Sequence, residues 1–385
     1  MAKSSERFGS LNSQNTTISD LHLQLGKREL LLLVAVSAAV TWATIFLLHH
    51  SAELVLHYGD NTAYCEVANA ILRWNFHNLQ VQHFMGYPYF IATVSLLLHV
   101  PTSFALWLIA VICSVVSVWL TARLFGTLIA AYFALTNFAW IQTSFLGGSE
   151  PLAMALTLGS WESFRRGRFS VSALLASLAV TVRPLMIFAL IGIGLILLYE
   201  RKFGPFLLVF SIGLAVGVLY VIPLAFYYGD PLLTVHSYTT RDYGGGGVVG
   251  PHGRLFGWPF HGIVAGTLAY PAPWTNLLLS FVWIGFVLFG IGMMFSSRFR
   301  EYGRTHPNEA VFCGLYLLAI FSYDYLIWAR GSFIRFAIPV LPFVFLATQR
   351  FLPKDRRLLW ILGIASAVLS AISAVGIKNV IGSGH

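Results

Sequence analysis

The strongest constraint on the fold is a series of apolar runs that recurs from residue 30 almost to the C-terminus. A helix of about 20 apolar residues crosses the roughly 30 Å hydrocarbon core of a bilayer. Only 10% of the 385 residues are charged, against about 25% in an average soluble protein. The sequence therefore predicts an all-α, polytopic membrane protein. The expected spans lie at about 30–48, 103–122, 125–141, 150–164, 169–182, 184–199, 204–227, 274–295, 309–328, 334–349 and 358–377.

Much of the basic charge lies in short clusters between these runs, and the clusters orient the spans. Lysine and arginine are enriched in cytosolic loops, so the net charge of +9 reflects topology and does not indicate a nucleic-acid partner. We expect residues 1–29 to form a cytosolic tail and residues 30–385 to form a single transmembrane domain. The clusters are Lys27–Arg28, Arg165–Arg168, Arg201–Lys202, Arg298–Arg304 and Lys354–Arg357.

The number of spans depends on the segment 86–100. If this segment crosses the bilayer with Asp60 outside, the cluster Arg165–Arg168 ends on the external side, unless a neighbouring segment does not cross. The sequence leaves this question open, and we expect about ten to twelve spans. The two runs that flank Arg183 and Pro184 are short for a full crossing, so those helices should tilt little and meet near the outer surface.

Two external loops, at about 49–85 and 228–273, are long enough to carry chemistry. Within the first loop, residues 61–74 predict an amphipathic helix that lies flat in the membrane interface. Asp60 then lies at the N-terminal end of this helix, at the boundary between water and lipid. The expected apolar stripe of the helix is Tyr64, Val67, Ala68, Ile71 and Leu72, with Asn61, Cys65, Glu66, Asn69 and Arg73 elsewhere around it.

The second loop combines aromatic and basic residues with four consecutive glycines, in RDYGGGGVVGPHGRLFGWP at 241–259. Such a run of glycines opposes regular structure and gives the backbone conformational freedom. An external loop of this kind that carries Arg241, His252 and Arg254 is typical of a lid over an anionic ligand.

Two carboxylates begin predicted helices on the external side. Asp60 precedes the interfacial helix, where an aspartate can cap the helix by accepting hydrogen bonds from its first N–H groups. Glu150 begins a span, where the helix dipole favours a negative charge and Ser149 could cap. Because capping does not exclude catalysis, both residues are candidate catalytic groups, with a capping role as the alternative for each.

Arginines on the external side oppose the positive-inside bias and therefore need an anionic partner. Arg330 and Arg335 lie in WARGSFIRFAIPVLPF at 328–343, at an external helix start. Their partner is either an anionic lipid headgroup or the phosphate of a bound substrate. Arg183 lies between two short helices on the same side. The expected substrate groove includes Tyr64, His83, Tyr87 and Arg183.

Several short motifs follow one another in a defined order along the chain. Each of them is weak on its own, and the information lies in their sequence. They are an aspartate after the first span, a flat helix, a Gly-Tyr-Pro segment, a Ser-Glu-Pro segment, an Arg-Pro pair and a late Arg-Phe-x-x-Pro-x-x-Pro segment, at residues 60, 61–74, 86–88, 149–151, 183–184 and 335–342.

This ordered set resembles the GT-C superfamily of integral-membrane glycosyltransferases, in particular the mannosyltransferases that use polyprenyl-phosphate-linked sugars. The resemblance covers residues of about 30–350. It implies that Asp60 acts on the acceptor and that Arg335 meets the donor phosphate. Some members carry a paired Asp-Glu in the first loop, whereas this chain has Asp60 followed by Asn61 and is therefore unlike the protein O-mannosyltransferase branch.

The resemblance implies an inverting enzyme that moves mannose or a similar hexose from a polyprenyl-phosphate carrier to an acceptor hydroxyl. The acceptor would be a glycan, a lipid or a protein. Reaction would take place at the external or luminal face of a bacterial inner membrane or an ER-like membrane. Asp60 would act as the general base, and fixed cations would stabilise the departing phosphate. The expected cations are Arg335 and Arg330, with Arg241, Arg254 or His252 from the second loop.

The main alternative is a secondary transporter or flippase for a sugar or a lipid-linked glycan. Transporters usually place ionisable groups at mid-depth, on broken helices related by repeats. The predicted spans are nearly free of charge at mid-depth, and no inverted repeat is apparent. An O-antigen polymerase or ligase would usually have a larger external loop, and a non-catalytic lipid-binding scaffold is a third alternative.

The sequence gives little sign of a cofactor. It contains neither a G-x-G-x-x-G dinucleotide motif nor a P-loop, which favours a lipid-linked donor over a nucleotide sugar. It leaves room for a divalent metal, yet no cluster of histidine and carboxylate residues has the spacing that would require one.

Overall fold

The computed structural model describes residues 26–49, 54–75, 83–240, 256–269, 274–324 and 332–381. This part of the chain is built from helices and contains no β-strand, as the apolar pattern predicts. Its long apolar helices are those of an integral, multi-pass membrane protein.

The first half of the chain runs from the N-terminal span to the buried helix at the centre of the molecule. Its helices are α1 (Lys27–His49), α2 (Leu54–His57), α3 (Asn61–Arg73), α4 (Gly86–Leu98), α5 (Thr102–Phe125), α6 (Thr127–Thr136), α7 (Phe138–Phe145) and α8 (Glu150–Arg165).

The second half adds the outer helices and returns to the centre near its end. Its α-helices are α9 (Phe169–Val182), α10 (Ile187–Tyr199), α11 (Phe203–Tyr228), α12 (Leu233–Thr240), α13 (His261–Ala269), α14 (Trp274–Met294), α15 (Ser297–Thr305), α16 (Pro307–Ser322), α17 (Phe333–Phe336), α18 (Leu341–Thr348) and α19 (Arg356–Ile381). Short 3-10 turns lie at Pro184–Met186, Ile338–Val340 and Gln349–Phe351.

Within the described residues, four helices are long and apolar enough to cross a membrane. They are α1, α5, α11 and α19, and the bent pair α14–α15, with a 78° angle, would make a fifth. Six further apolar segments are 10–17 residues long. The expected total of ten to twelve spans would require most of these shorter segments to cross, so that number stays a prediction.

The core is centred on α8, which packs most extensively against α5 and α9. Trp161 of α8 is completely buried, and its ring packs edge-on against Phe312 of α16 and Phe343 of α18, with centroids 5.0 and 5.5 Å away. The first and last long helices, α1 and α19, pack against each other. The central helix is therefore enclosed, and only its two ends approach the polar faces of the molecule.

Ionic groups gather at the two ends of α8. Glu150 begins this helix and Arg165 ends it. At 1.5 Å per residue, the 16 residues of the helix place its two ends about 22 Å apart. The cluster at the Arg165 end contains the basic residues that the sequence assigns to the cytosol, and the candidate catalytic groups lie at the other end.

The Arg165 cluster is a buried ion pair of good geometry. The Arg165 guanidinium donates from Nε and Nη2 to the two oxygens of Glu309, at 2.7 and 2.8 Å. The Tyr302 hydroxyl donates to the same carboxylate, which is fully buried. This network connects the end of α8 to α15 and α16.

Replacing Glu309 with alanine is expected to lower the free energy of unfolding by about 3–5 kcal/mol, because it leaves the Arg165 guanidinium without its buried counter-charge. Urea unfolding in detergent, followed by tryptophan fluorescence, would measure the loss. The double variant Arg165→Met with Glu309→Leu should recover most of it, since replacing both charges by apolar groups is often neutral. A double variant as unstable as the single one would contradict this explanation.

The helix boundaries agree with the apolar pattern in the middle of the chain and differ where single residues interrupt a run. The expected spans 150–164 and 169–182 become α8 and α9 almost unchanged. The run 125–141 instead divides into α6 and α7 at Asn137, whose side chain accepts a hydrogen bond from the Trp140 N–H at 3.0 Å. The run 334–349 divides into short pieces at its prolines, because proline lacks the N–H that a helix interior needs.

The helix expected in the first external loop is present as α3, and its buried face differs from the predicted stripe. Tyr64, Val67 and Ala68 of the predicted stripe are buried, whereas Ile71 and Leu72 are only partly buried. Asn61 and Cys65, which the pattern places elsewhere around the helix, are also buried. The buried face is therefore wider than the apolar stripe, because the start of α3 packs into the protein. The interfacial position of this helix stays a prediction.

Candidate functional site

The candidate site lies at the Glu150 end of α8, where four segments meet. Asp60 comes from the turn before α3, Glu150 from the start of α8, Arg183 from the junction after α9, and Arg335 from α17. Their side chains form a connected network of two carboxylates and two guanidiniums. The folded chain thus brings together both candidate catalytic carboxylates and two of the arginines that the sequence predicts to be external.

Asp60 is the more exposed carboxylate of the network. Its backbone occupies the N-cap position of α3, yet its side chain makes no capping hydrogen bond. Its Oδ2 lies 3.4 Å from Nη1 of Arg335, and its Oδ1 lies 3.6 Å from Nε2 of His83. A quarter of the side chain is exposed. The alternative of a side-chain cap therefore does not account for this residue.

Glu150 is the buried centre of the network, with only 2% of its surface exposed. Its Oε1 is paired with Arg183 and with Arg335. Its Oε2 has no hydrogen-bond partner among the described residues. A carboxylate enclosed between two guanidiniums holds both of them in place, since removing it would leave buried positive charge unbalanced.

The start of α3 is fixed to the segment that precedes α8. The buried Asn61 amide donates from Nδ2 to the carbonyl of Val55 at 2.6 Å and to the carbonyl of Leu146 at 3.0 Å. Gly147, with φ of +100°, follows Leu146, and a side chain there would collide with Asn61. Asn61 therefore sets the position of Asp60 relative to Glu150.

Aromatic side chains pack beside Asp60. The Tyr64 ring lies 5.1 Å from the His83 ring and 5.0 Å, edge-on, from the Tyr87 ring. Burial raises the pKa of Tyr64 to about 12, so its hydroxyl stays protonated, and it donates to Ser149 Oγ at 3.4 Å. Tyr87 is completely buried and donates to the carbonyl of Leu106. Tyr87 thus packs against Tyr64 from the buried side.

Arg183 is held on two sides besides its pair with Glu150. One terminal nitrogen, Nη1, lies 3.5 Å from Ser149 Oγ. The guanidinium carbon is 5.9 Å from the centroid of the Phe336 ring, within the range of a cation–π contact. The predicted groove residues Tyr64, His83 and Arg183 therefore all lie around the network.

An apolar cavity of about 650 Å³ lies beside the site, between α9, α10 and α11. It follows α10 from Ile187 to Leu198, a length of about 17 Å at 1.5 Å per residue. Its lining is almost entirely apolar and includes Phe84, the residue after His83. Tyr220, also in the lining, accepts a hydrogen bond from the Met85 N–H at 3.2 Å. One end of the cavity therefore lies close to the aromatic residues beside Asp60.

Four predicted donor-binding cations lie outside the described residues. They are Arg241, His252, Arg254 and Arg330. The glycine-rich lid expected at 241–255 lies outside them as well. Of the expected phosphate-binding cations, Arg335 is the one that the described structure places in the network. The second guanidinium of the network is Arg183, which the sequence assigned to the substrate groove.

Two residues of the site were not among the predicted functional residues. Asn61 entered only as a departure from the Asp-Glu pair, yet it is the anchor of α3. Ser149 entered only as a cap of α8, yet its side chain makes no capping bond and instead meets Tyr64 and Arg183. A polar residue directly beside each candidate carboxylate is the only sequence signal for these roles.

No group of three or more histidine, cysteine, aspartate or glutamate side chains that could hold a metal ion occurs in the part of the chain that the structure describes. The network of Asp60, Glu150, Arg183 and Arg335, called the acid–base network below, consists of paired carboxylates and guanidiniums. It can position an anion at the guanidiniums and a hydroxyl group at Asp60.

Comparisons with known proteins give a likeness in fold. No protein-family model matches the sequence, and no curated protein matches it. Among solved structures, the chain is similar to ArnT from Cupriavidus metallidurans bound to undecaprenyl phosphate, with a TM-score of 0.51 and 16% sequence identity. The match covers 84% of this chain and 60% of the ArnT chain, so this chain spans less than two thirds of the length of ArnT. ArnT has the GT-C fold, and the chain described here shares that fold.

Proposed function

We propose that this protein is an inverting glycosyltransferase that moves a hexose from a polyprenyl-phosphate carrier to an acceptor hydroxyl at the external or luminal face of the membrane. The observation that carries the proposal is Asp60, a partly exposed carboxylate that does not cap its helix and lies 3.4 Å from Arg335. The fold shared with ArnT, whose structure contains undecaprenyl phosphate, supports a lipid-phosphate donor.

Asp60 is the general base of the proposed reaction. As the acceptor oxygen forms its bond to the anomeric carbon, the hydroxyl proton passes to Asp60, and the bond from that carbon to the phosphate oxygen breaks. The acceptor attacks the face opposite the leaving group, so the configuration inverts. Glu150 is enclosed by two guanidiniums, and we therefore assign it a positioning role in place of the catalytic role that the sequence suggested.

Arg335 and Arg183 stabilise the departing polyprenyl phosphate. Fixed guanidiniums that already point at the developing charge need little reorganisation during the reaction. Glu150 keeps both of them in position. A donor phosphate at Arg335 would compete with Asp60 for the Nη1 donor of this guanidinium, which would leave the carboxylate to accept a proton.

The apolar cavity along α10 is the proposed site of the lipid tail. A volume of about 650 Å³ falls within the usual range of ligand pockets, roughly 300–1,000 Å³. Phe84 lines the cavity, and the residue before it, His83, contacts Asp60. This arrangement would place the phosphate at the network while the hydrocarbon chain stays in the membrane.

The test is a comparison of transfer with transport. Purified protein in detergent would be mixed with a radiolabelled polyprenyl-phosphate hexose and a panel of hydroxyl acceptors, and the glycosylated product would be separated and counted. The same protein in liposomes would be assayed for uptake of the free sugar. We expect transfer without uptake. Uptake without transfer would replace the proposal with the transporter alternative.

Replacing Gly217 with leucine is expected to weaken binding of the donor while leaving the fold intact. Gly217 lines the cavity, and a Cβ there meets no atom within 4 Å, so the new side chain extends into the space proposed for the lipid tail. Leucine is also a better helix former than glycine, by roughly 0.8–1 kcal/mol. Donor affinity, measured by competition with a fluorescent polyprenyl phosphate, would report the effect.

Gly285→Leu is the matched control for this variant. Gly285 lies in α14, outside the cavity lining, and a Cβ there also meets nothing within 4 Å. It should bind the donor as the unmodified protein does. If both variants bound the donor as tightly as the unmodified protein, the cavity would not be part of the donor site.

A further inference from the structure

A second polar site lies where the end of the external loop 228–273 meets α16. Two backbone hydrogen bonds fasten this part of the loop to the last turn of α16, from the Gly257 N–H to the Ser322 carbonyl at 2.8 Å and from the Phe260 N–H to the Phe321 carbonyl at 2.7 Å. Phe256 and Tyr323 form an isolated antiparallel bridge next to them. The loop is therefore held in a defined position here.

This attachment brings His261 against Asp324. The imidazole Nδ1 lies 2.5 Å from Oδ1 of Asp324. Because a carboxylate oxygen accepts hydrogen bonds, Nδ1 is the donor in this pair, and Nε2 is left to form a hydrogen bond with another group. The Asp324 side chain is mostly buried, whereas 60% of the His261 side chain is exposed. The aspartate thus orients an imidazole whose other nitrogen can meet a ligand.

Two backbone features are specific to this arrangement. A side chain on Gly257 would collide with the Asp324 carboxylate, so glycine allows the carboxylate to approach the loop. Phe260, directly before His261, has φ of +69°, a region that costs a residue with a Cβ about 1–3 kcal/mol. The Phe260 ring packs on Phe321 with centroids 4.8 Å apart. A strained backbone held by a hydrogen bond to the Phe321 carbonyl and by packing on the Phe321 ring is typical of a site where orientation matters.

An exposed aromatic surface lies three residues from the imidazole. Trp258 is 83% exposed, so its indole face is available for contact. The flat indole face can pack against the C–H groups of a sugar ring, while an imidazole nitrogen forms a hydrogen bond with a sugar hydroxyl. A tryptophan can also serve as an anchor in the membrane interface, but that role does not require a neighbouring imidazole oriented by a carboxylate.

The His261–Asp324 pair lies at the same end of the helix bundle as the acid–base network. Tyr323, next to Asp324, packs edge-on against Phe336 with centroids 5.4 Å apart. Phe336 follows Arg335 in the chain and lies beside the guanidinium of Arg183. A molecule bound at Trp258 and His261 would therefore reside on the face that carries Asp60.

We propose that Trp258, His261 and Asp324 form the acceptor subsite and that the acceptor is a carbohydrate. This inference rests on the proposed transferase function and selects among the three acceptor classes that the sequence allows. Trp258 supplies the stacking surface, His261 forms a hydrogen bond with a ring hydroxyl, and Asp324 fixes the orientation of the imidazole. The three residues bind the acceptor and take no part in proton transfer.

Saturation-transfer NMR on the full chain in lipid nanodiscs tests the proposal without the donor. The probes are methyl α-mannoside, methyl β-glucoside and methyl β-galactoside. At least one of them should receive saturation from the protein, most strongly at the C–H protons of one ring face, and empty nanodiscs should give none. Trp258→Ala and His261→Ala should lose this signal, and Trp258→Phe should keep much of it because it retains an aromatic face.

Matched controls separate the subsite from general effects. Trp119→Ala removes another partly exposed tryptophan, one that contacts Arg123 near the end of α5. His236→Ala breaks another His–Asp pair, formed with Asp230. Both controls should bind the probes as the unmodified protein does. Size-exclusion profiles and thermal midpoints of all variants would establish that they are folded.

Two results would overturn the inference: absence of saturation transfer to all three probes, or signals that survive in both Trp258→Ala and His261→Ala. Because no donor is present, neither result bears on Asp60 or Arg335. Conversely, a chain that binds the probes through Trp258 and yet transfers no sugar would lose the transferase proposal and keep a carbohydrate site.

Discussion

Asparagine in place of Asp60 is expected to slow sugar transfer by about 10²–10⁴-fold, the usual contribution of a general base. The amide has nearly the same shape as the carboxylate and cannot accept the hydroxyl proton. Because the hydrogen bonds of Asn61, which position the start of α3, are unaffected, the fold should remain. Initial rates with radiolabelled donor, together with donor affinity from a separate binding experiment, would show a lower kcat without a loss of donor binding.

Glu66→Gln is the matched control for the Asp60 variant. Glu66 is an exposed carboxylate on α3, the helix that Asp60 precedes, and its neutralisation changes the net charge of this segment by the same amount. It should transfer sugar at the rate of the unmodified protein. If Asp60→Asn retained full activity, another group would have to accept the proton and the proposed mechanism would be wrong.

The second large effect is expected for Glu150→Gln, which should both destabilise the protein and weaken transfer. The variant leaves Arg183 and Arg335 close together without the buried charge that pairs with both. Removing one partner from a buried ion pair typically costs about 3–5 kcal/mol. Chemical unfolding in detergent measures the stability, and the transfer rate per folded molecule measures the function.

Glu162→Gln provides the comparison at the opposite end of the same helix. Glu162 pairs with Arg123 and with Arg166, which lies four residues later in the chain. Both arginines are partly exposed, and such ion pairs contribute about 0–1 kcal/mol. We expect a small change in stability and an unchanged transfer rate. A Glu150→Gln protein as stable as this control would show that Glu150 does not hold the two arginines in place.

Periodicity and apolar length predicted most of the fold because the lipid environment allows few alternatives. A segment such as 169–182 is apolar throughout and can only be a helix in this setting, and α9 has those bounds. The errors arise at single residues that change backbone hydrogen bonding. Asn137 can cap a new helix with its own side chain, and the pattern of a long apolar run does not reveal that preference.

The site was predictable in its members and less so in its pairing. Asp60, Glu150, Arg183 and Arg335 each stood out as a charge at the end of an apolar run. Glu150 and Arg335, however, are 185 positions apart, and no local pattern indicates that they meet. The exposed carboxylate and the buried one look alike in sequence, because burial depends on how α8 packs against α5 and α9.

The choice between capping and catalysis at Asp60 shows the same limit. A helix start with an aspartate before it has one local appearance whether the side chain turns back to the helix or outward. The direction is decided by a guanidinium from a distant segment, Arg335, which competes with the backbone N–H groups of α3 for the carboxylate. Only the packed structure contains that competition.

The equal numbers of carboxylates and guanidiniums at the candidate site bear on how a ligand reaches it. Asp60 and Glu150 offset Arg183 and Arg335, so these four groups together project little field beyond their immediate surroundings. Steering of anions through water depends on an excess of one sign of charge and weakens within about 10 Å at moderate salt. The site would therefore not increase the association rate of a water-soluble sugar phosphate. A ligand already dissolved in the bilayer would reach it by lateral diffusion.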